Sequence, residues 1–234
     1  SVWDVPGLEK HHGQDIYLTE ALVHETLPEL DRAVADETPF FLHFAPYAVH
    51  TPIMANKRHL DRYATMHPRE AAYATMIETV DRALGTLRKA LEDLEILDDT
   101  IIIFTSDNGG LSAHARDGKA HTHNHPLNSG KGSALEGGTR VPLVIRWPGK
   151  IKAGVVLDMG STLDLLPTIA KITGAETPKD RIMDSYDLSP VLFGSGGSPR
   201  REMFFYRDDR IWAARVGDYK AHYLTSSRYR NAEP

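Results

Sequence analysis

The strongest constraint on this chain is a long amphipathic helix that runs directly into a short apolar strand. Residues 70–95 carry charges on one predicted helix face. The opposite face carries apolar residues at steps of four and three, namely Tyr73, Ile77, Val80, Leu84, Leu87, Leu91 and Leu94. The segment "TIIIFTSDNGG", residues 100–110, then predicts a buried strand over 100–106. The apolar face of the helix is therefore expected to pack against a sheet in the core rather than to bind a partner protein.

Shorter segments on both sides alternate between helix and strand. The spacing of apolar residues over 16–35 predicts a helix that Pro28 should kink or split. The segment "PFFLHFAPY", residues 39–47, and the segment "VPLVIRW", residues 141–147, are short and apolar, which is typical of buried strands. This order of elements favours the α/β class.

The C-terminal third predicts a helix followed by a small antiparallel sheet. The segment "TLDLLPTIAKITG", residues 162–174, has helical spacing and stops at a glycine. The segment "GSGGSP", residues 194–199, is a flexible connection. Beyond it, strand-like runs alternate with tight polar turns at 208–209 and 217–218, which predicts an antiparallel meander.

Composition excludes several classes of function. The net charge of −5 gives no support for binding nucleic acid through bulk electrostatics. The 234 residues include no cysteine, which rules out disulfides, thiolate metal ligands and a cysteine nucleophile within the chain. No apolar run approaches the length of a membrane span, and no signal peptide is visible. The first residue is not Met, and the abrupt ends lead us to expect a fragment of a longer protein.

Asp107 and Asn108 stand where the strand at 100–106 ends, with Gly109 and Gly110 behind them. A carboxylate and a carboxamide oxygen suit a hard cation such as Ca²⁺ or Mg²⁺. The glycines would allow a sharp turn or the close approach of a ligand. The tetrapeptide also suits a plain turn without metal, and taken alone it favours that interpretation.

Two further polar residues lie beside predicted strands. His50 follows the strand predicted at 39–47 and could donate to an anion or act as an acid, or could be satisfied by a proline-rigid loop. Lys131 lies in the glycine-rich segment "SGKGSALEGGTR" and could hold a tetrahedral oxyanion, or could be a solvated surface lysine. The spacing excludes a P-loop. Glu136 and Arg140 could pair with each other to brace this segment.

The segment from 107 to 140 has no periodicity, and a loop of this length in a compact domain is usually functional. Its tract "HARDGKAHTHNH" holds four histidines, namely His114, His121, His123 and His125. Such a tract could bind a transition metal, or could form a loop that contacts substrate.

Taken together, these segments resemble the formylglycine-dependent sulfatases of the alkaline-phosphatase superfamily. The segments "FFLHFAPYAVHTPI", "TIIIFTSDNGG" and "GKGSALEGGTRVPLVIRWPG" occur in the family's order and spacing. The N-terminal "WDVPGLEKHHGQDIYLTEAL" and the tail "FFYRDDRIWAARVGDYKAHY" also resemble family segments. The resemblance implies a partial alkaline-phosphatase-like mixed sheet flanked by helices, with a small C-terminal antiparallel β-rich subdomain. It divides the chain into catalytic α/β residues 1–193 and the start of the subdomain at 200–234.

The resemblance also implies roles for particular residues. Asp107 and Asn108 would ligate a divalent metal, usually Ca²⁺. His50 would contact the sulfate group or its leaving oxygen, and Lys131 would bind a sulfate oxygen. His121, His123 and His125 are further candidates for contacts with a sulfated small molecule or glycan.

The chain departs from the family pattern at the nucleophile. Family members use a formylglycine made from the first residue of a C/S-x-P-x-R motif, and this chain contains no such motif. The paired aspartates and the G-K-x-H segment of the family are also absent, and Asp98–Asp99 and Asp208–Asp209 lie in turns away from those motifs. We therefore expect the isolated chain to be inactive.

The sequence also allows three alternative functions and carries two further expectations. The parent protein could instead be a metal-dependent phosphoesterase, a phosphonate hydrolase or a non-catalytic sulfatase-like protein. The family suggests a periplasmic or secreted location. An exposed sheet edge in the fragment would favour self-association.

Overall fold

The computed structural model describes Val2, residues 5–111 and residues 124–224. The chain divides into two compact units, Ser1–Thr100 and Ile101–Pro234. The helices are α1 (Leu18–Ala35), α2 (Pro68–Asp93), α3 (Glu136–Thr139), α4 (Leu165–Thr173) and α5 (Ser189–Leu192), with 3-10 turns at Glu9–His11, Lys57–Tyr63 and Thr162–Asp164. The strands are β1 (Ile102–Thr105), β2 (Leu143–Arg146), β3 (Glu202–Arg207), β4 (Arg210–Val216) and β5 (Tyr219–His222).

The first unit is built on α1 and α2, which pack against each other. The helix predicted over 16–35 is confirmed as a single helix that continues through Pro28, so the chain is not split there. The helix predicted over 70–95 is confirmed as α2, which begins with Pro68 in its first turn, where a missing N–H costs nothing.

The buried face of α2 differs from the predicted one. The side chains that it buries are Ala71, Thr75, Met76, Thr79, Ala83, Leu87 and Leu91. Ile77, which the periodicity assigned to the core, is 49% exposed. Thr75 and Thr79 are buried because their hydroxyl groups bond to Asn56: Thr75 Oγ1 accepts from the Asn56 N–H at 3.0 Å, and Thr79 Oγ1 accepts from Asn56 Nδ2 at 3.1 Å. Helix α2 thus buries two satisfied threonines, while Leu87 and Leu91 of the predicted apolar face are buried as expected.

The prediction of a strand at residues 39–47 is wrong. Residues 39–47 form no strand, and Phe41 is 77% exposed. In the described part of the chain, no other segment pairs with these residues, so their backbone groups gain nothing from a ladder.

The second unit contains two antiparallel sheets. Strands β1 and β2 pair from Ile102 opposite Arg146 to Thr105 opposite Leu143. Strands β3, β4 and β5 form a three-stranded meander, which confirms the predicted C-terminal antiparallel subdomain. Helix α4 ends at Gly174, whose φ of 75° is the left-handed conformation that glycine adopts at helix ends.

A buried ion pair ties α4 to the segment that leads into β3. Arg200 Nε donates to Asp164 Oδ2 at 2.8 Å, and Arg200 Nη2 donates to Asp164 Oδ1 at 2.5 Å. The Asp164 carboxylate also accepts from the backbone N–H groups of Ser161 and Tyr186, each at 2.8 Å. The hydrogen bond to Asp164 holds the pKa of the Arg200 guanidinium above its ordinary value. Four donors therefore satisfy a carboxylate that is completely buried.

Candidate metal and anion site

The polar end of β1 presents two side-chain oxygens. Asp107 is exposed and Asn108 is half-buried, immediately after the strand. Ser106 Oγ donates to the carbonyl oxygen of Asn108 at 2.9 Å, which holds the turn. In the described part of the chain, neither the Asp107 carboxylate nor the Asn108 carboxamide has a hydrogen-bond or ion-pair partner. Both groups are therefore available to a ligand.

The two glycines after Asn108 allow another loop to approach. The Gly109 N–H donates to the carbonyl oxygen of Gly138 at 3.0 Å. A Cβ atom on Gly109 would lie 1.7 Å from the carbonyl oxygen of Gly137, a distance that no side chain could accept. Gly137 and Gly138 are themselves buried, and a Cβ on either would lie within 2.5 Å of a backbone oxygen. Backbone therefore packs on backbone here, and all three positions require glycine.

The second loop carries Lys131. The Lys131 N–H donates to the carbonyl oxygen of Gly110 at 3.0 Å, so the lysine backbone is bonded to the turn that carries Asp107 and Asn108. The Lys131 side chain is half-buried, and the described residues include no acidic partner for it. The structure thus joins three of the predicted site residues through their backbones.

Asn124 is a site residue that sequence reasoning missed. Its Oδ1 accepts from the Gly110 N–H at 2.9 Å, and its Nδ2 donates to the carbonyl oxygens of Gly110 at 2.9 Å and Ser129 at 3.0 Å. One side chain thereby fixes the ends of both loops. In the sequence, Asn124 is marked only by its position between His123 and His125, and that pattern suggests metal binding rather than a bracing role.

Contacts from the C-terminal sheet brace the Lys131 loop. Lys220 on β5 donates to Glu136 Oε1 at 2.8 Å and to the carbonyl oxygen of Ala134. Arg207 Nη1 donates to the carbonyl oxygen of Gly132 at 3.3 Å. Glu136 therefore pairs with Lys220 rather than with Arg140 as the spacing suggested. Burial acts to raise the pKa of Glu136, but the hydrogen bond and charge of Lys220 outweigh it and leave that pKa below its ordinary value of 4.5.

His50 lies in the first unit, on an exposed turn. Its Nδ1 lies 2.7 Å from the carbonyl oxygen of Thr51 and 3.0 Å from the Tyr47 hydroxyl oxygen, and that hydroxyl donates to the same carbonyl at 2.7 Å. A carbonyl oxygen only accepts, so Nδ1 carries the proton. The geometry leaves Nε2 as the nitrogen that can accept a proton or, once protonated, donate one.

The histidine tract is only partly described. His125 is exposed, whereas His114, His121 and His123 lie outside the described residues. Over Val2, 5–111 and 124–224, no group of three or more histidine, aspartate or glutamate side chains could hold a metal ion. Over the same ranges, no helix has the length and apolar character needed to cross a membrane.

Solved structures define the class of fold. The chain matches the crystal structure of Ps i-CgsB with a TM-score of 0.78 and 32% identity, over 91% of this chain and 47% of that one. A second structure of that protein, in complex with k-i-k-neocarrahexaose, matches with a TM-score of 0.77. The fold is that of the alkaline-phosphatase-like proteins, which confirms the predicted α/β class.

Sequence comparison defines the family within that class. The sulfatase family model matches residues 3–175, and a model of the C-terminal region of aryl-sulfatase matches residues 198–233. The chain therefore belongs to the sulfatase family. It is 35% identical to human arylsulfatase A over 94% of its length, and 36% identical to N-acetylgalactosamine-6-sulfatase of Canis lupus familiaris over 89%. It spans 41% and 38% of the lengths of those two relatives.

Membership of this family implies a metal ion and a formylglycine in general terms. Asp107 and Asn108 fit a hard cation, because both offer oxygens from one turn that have no partner among the described residues. Two side chains fall well short of the roughly six to eight oxygen ligands that Ca²⁺ takes. The described residues therefore fit part of a metal site.

Proposed function

We propose that this chain is part of a sulfatase that hydrolyses sulfate esters, with a sulfated small molecule or glycan as substrate. The observation that carries the proposal is the backbone bonding of the Asp107–Asn108 turn to the Lys131 loop in a member of the sulfatase family. The names of two relatives support a glycan, since one is an N-acetylgalactosamine-6-sulfatase and one was solved with a neocarrahexaose. We propose residues 1–193 as the chain's share of the catalytic α/β domain and 200–234 as the start of the C-terminal subdomain.

The chain's own residues would divide the work of binding a sulfate ester. Asp107 and Asn108 would hold the metal, proposed as Ca²⁺ with Mg²⁺ as the second choice. A bound metal would neutralise charge that develops on the sulfuryl oxygens. Lys131 would bind a sulfuryl oxygen as a point charge, and His125, with His121 and His123, would contact the rest of the substrate.

His50 would act on the leaving oxygen. Because Nδ1–H donates to the Thr51 carbonyl oxygen, Nε2 is the nitrogen that would carry the second proton of an imidazolium and pass it to the leaving oxygen. Tyr47 would fix the imidazole orientation, because its ring lies against that of His50 with centroids 5.1 Å apart. The nucleophile would be a formylglycine outside this chain, so we expect the isolated 234 residues to be inactive.

The test is hydrolysis of an aryl sulfate and of a sulfated oligosaccharide by the complete protein. We expect Lys131→Met to lower kcat/KM by about two to three orders of magnitude, because it removes a charge aimed at the developing anion. Exposed Lys152, which has no hydrogen bond or ion pair to the described residues of the site loops, supplies the matched control Lys152→Met. Faster hydrolysis of phosphonate or phosphate esters than of sulfate esters would overturn the assignment. Turnover of an aryl sulfate by the isolated chain would overturn the expectation that the chain is inactive by itself.

We also propose that the isolated chain self-associates through β1 and β2. Val144 on β2 is 60% exposed, and Phe104 and Leu143 on the same ribbon are also exposed. Each strand has one unpaired edge within the described part of the chain, which is a template for pairing with another copy. Light scattering should show a dimer or larger species, and a monodisperse monomer would refute this.

A further inference from the structure

The C-terminal sheet contacts the Lys131 loop at three successive places. Arg207, at the end of β3, reaches Gly132, and Lys220, on β5, reaches Ala134 and Glu136. Gly132 is the residue that follows Lys131, and the other two are three and five positions beyond it. Both donors come from a sheet about 75 to 86 residues away along the chain.

The Lys220 side chain is largely buried, and its charge is paired with Glu136. Its side chain is only 11% exposed, and its ammonium lies 4.1 Å from the centroid of the Phe205 ring. A buried ammonium is stable only when its N–H groups have partners, and Glu136 and Ala134 supply them. The loop and the sheet thus stabilise each other: Ala134 and Glu136 accept hydrogen bonds from the Lys220 ammonium, and those bonds hold the loop in place.

The same pairing excludes Lys220 from direct anion binding. Its charge is neutralised by Glu136 at 2.8 Å, whereas the described residues give Lys131 no acidic partner. The loop between Gly130 and Leu135 contains no helix or strand that could hold the Lys131 backbone by itself. The Ser133 N–H donates to the Gly130 carbonyl oxygen at 3.1 Å within the loop, and bonds to Gly110 and to the C-terminal sheet hold the loop from outside.

We propose that Lys220 is a positioning residue for Lys131, so that the C-terminal sheet sets the anion affinity of the site. Arg207 acts in the same way, more weakly, through its single bond to Gly132. This inference rests on the proposed function, because it requires Lys131 to bind sulfate. Residues of β3 and β5 would thus affect sulfate binding without touching the substrate.

The experiment measures the dissociation constant of inorganic sulfate by calorimetry, with the metal-loaded complete protein. Lys220→Met keeps the apolar stem over Phe205 but removes the hydrogen bonds to the loop. We expect sulfate to bind about tenfold more weakly, as one lost charge-assisted hydrogen bond would allow. Lys220→Arg, which restores charge and donors, should recover most of the affinity, and Lys152→Met should bind as the unaltered protein does.

Two further readouts separate positioning from mere stability. Lys220→Met should raise KM for a sulfate ester and speed amide hydrogen exchange over residues 128–138, while exchange in α2 stays unchanged. A purely structural role would lower the melting temperature but leave sulfate affinity and KM of the folded protein unaltered. Should Lys220→Met fail to fold, Arg207→Met removes the 3.3 Å bond to Gly132, together with the guanidinium that lies 4.7 Å from the centroid of the Trp212 ring, and should weaken sulfate binding about two- to threefold.

Lys131→Met separates failure of this inference from failure of the proposed function. If Lys131→Met weakens sulfate binding and both Lys220→Met and Arg207→Met bind it as the unaltered protein does, the positioning role is wrong and the anion site stands. If Lys131→Met leaves sulfate affinity unchanged, the anion site is wrong, and the positioning role falls with it.

Discussion

Replacing Gly109 by alanine tests whether the two site loops meet through their backbones. The new Cβ would lie 1.7 Å from the carbonyl oxygen of Gly137, while real Cβ contacts do not fall below 3.0 Å. The carbonyl would have to retreat by about 1.3 Å. Such a shift breaks the bond from the Gly109 N–H to Gly138 at 3.0 Å and the bond from the Gly137 N–H to Asn128 at 2.8 Å.

The cost follows from those two hydrogen bonds. A buried backbone group that loses its partner costs about 1–3 kcal/mol, so we expect Gly109→Ala to lower the free energy of unfolding by about 2–6 kcal/mol. Urea denaturation followed by tryptophan fluorescence would measure the loss, since Trp147 and Trp212 both lie in the second unit. Metal affinity should fall as well, because the same shift displaces the turn that carries Asp107.

Two other glycines supply matched controls. A Cβ on exposed Gly154, in the same unit, meets nothing within 4 Å, and Gly154→Ala should change stability by no more than about 0.5 kcal/mol. A Cβ on Gly110 would meet the Asn124 side chain, nearest at its Oδ1 at 3.0 Å, so the loss for Gly110→Ala should fall between the two. If Gly109→Ala unfolds at the same urea concentration as Gly154→Ala, the backbone packing described here is wrong.

Three further perturbations test the surrounding structure. Arg200→Met leaves the fully buried Asp164 carboxylate without its cation and should cost about 3–5 kcal/mol in urea denaturation; a loss below about 1 kcal/mol would contradict the account of that pair. Because the folded protein lowers the pKa of Glu136, its contribution to stability is present above pH of about 4.5 and is lost as pH falls through the lowered pKa. The melting temperature should therefore drop on acidification, and less steeply in Lys220→Met. Asn124→Ala removes three hydrogen bonds and should speed amide exchange over residues 106–111 but not in α4.

Local patterns predicted much of the fold. Helix α2, the glycine stop after α4 and the meander β3–β5 were all visible in the spacing of apolar residues and turn residues. Their signals act over a few neighbouring positions, where 3.6-residue and two-residue periods are set. The prediction of a strand at 39–47 was wrong because a strand forms only when a second segment pairs with its backbone N–H and C=O groups. Apolar composition does not show whether such a segment exists.

The sequence predicted which residues form the candidate site, but it did not predict how their backbones and side chains are arranged. Asp107, Asn108, His50 and Lys131 were chosen by chemistry and by resemblance to the sulfatases. Asn124 and Lys220 were missed, because an asparagine beside histidines and a lysine on a surface strand carry no local signal. Their importance comes from partners that lie 14 and 84 positions away.

The sequence by itself determined helices α1, α2 and α4, most of the strands and the family of this protein, because these depend on short-range periodicity and on motifs in a fixed order. Only the tertiary structure decided why Gly109 follows the Asp107–Asn108 pair, which face of α2 is buried, and that Lys220 braces the loop of Lys131. Those facts depend on close contacts and satisfied hydrogen bonds between distant segments. Such contacts exist only once the chain has folded.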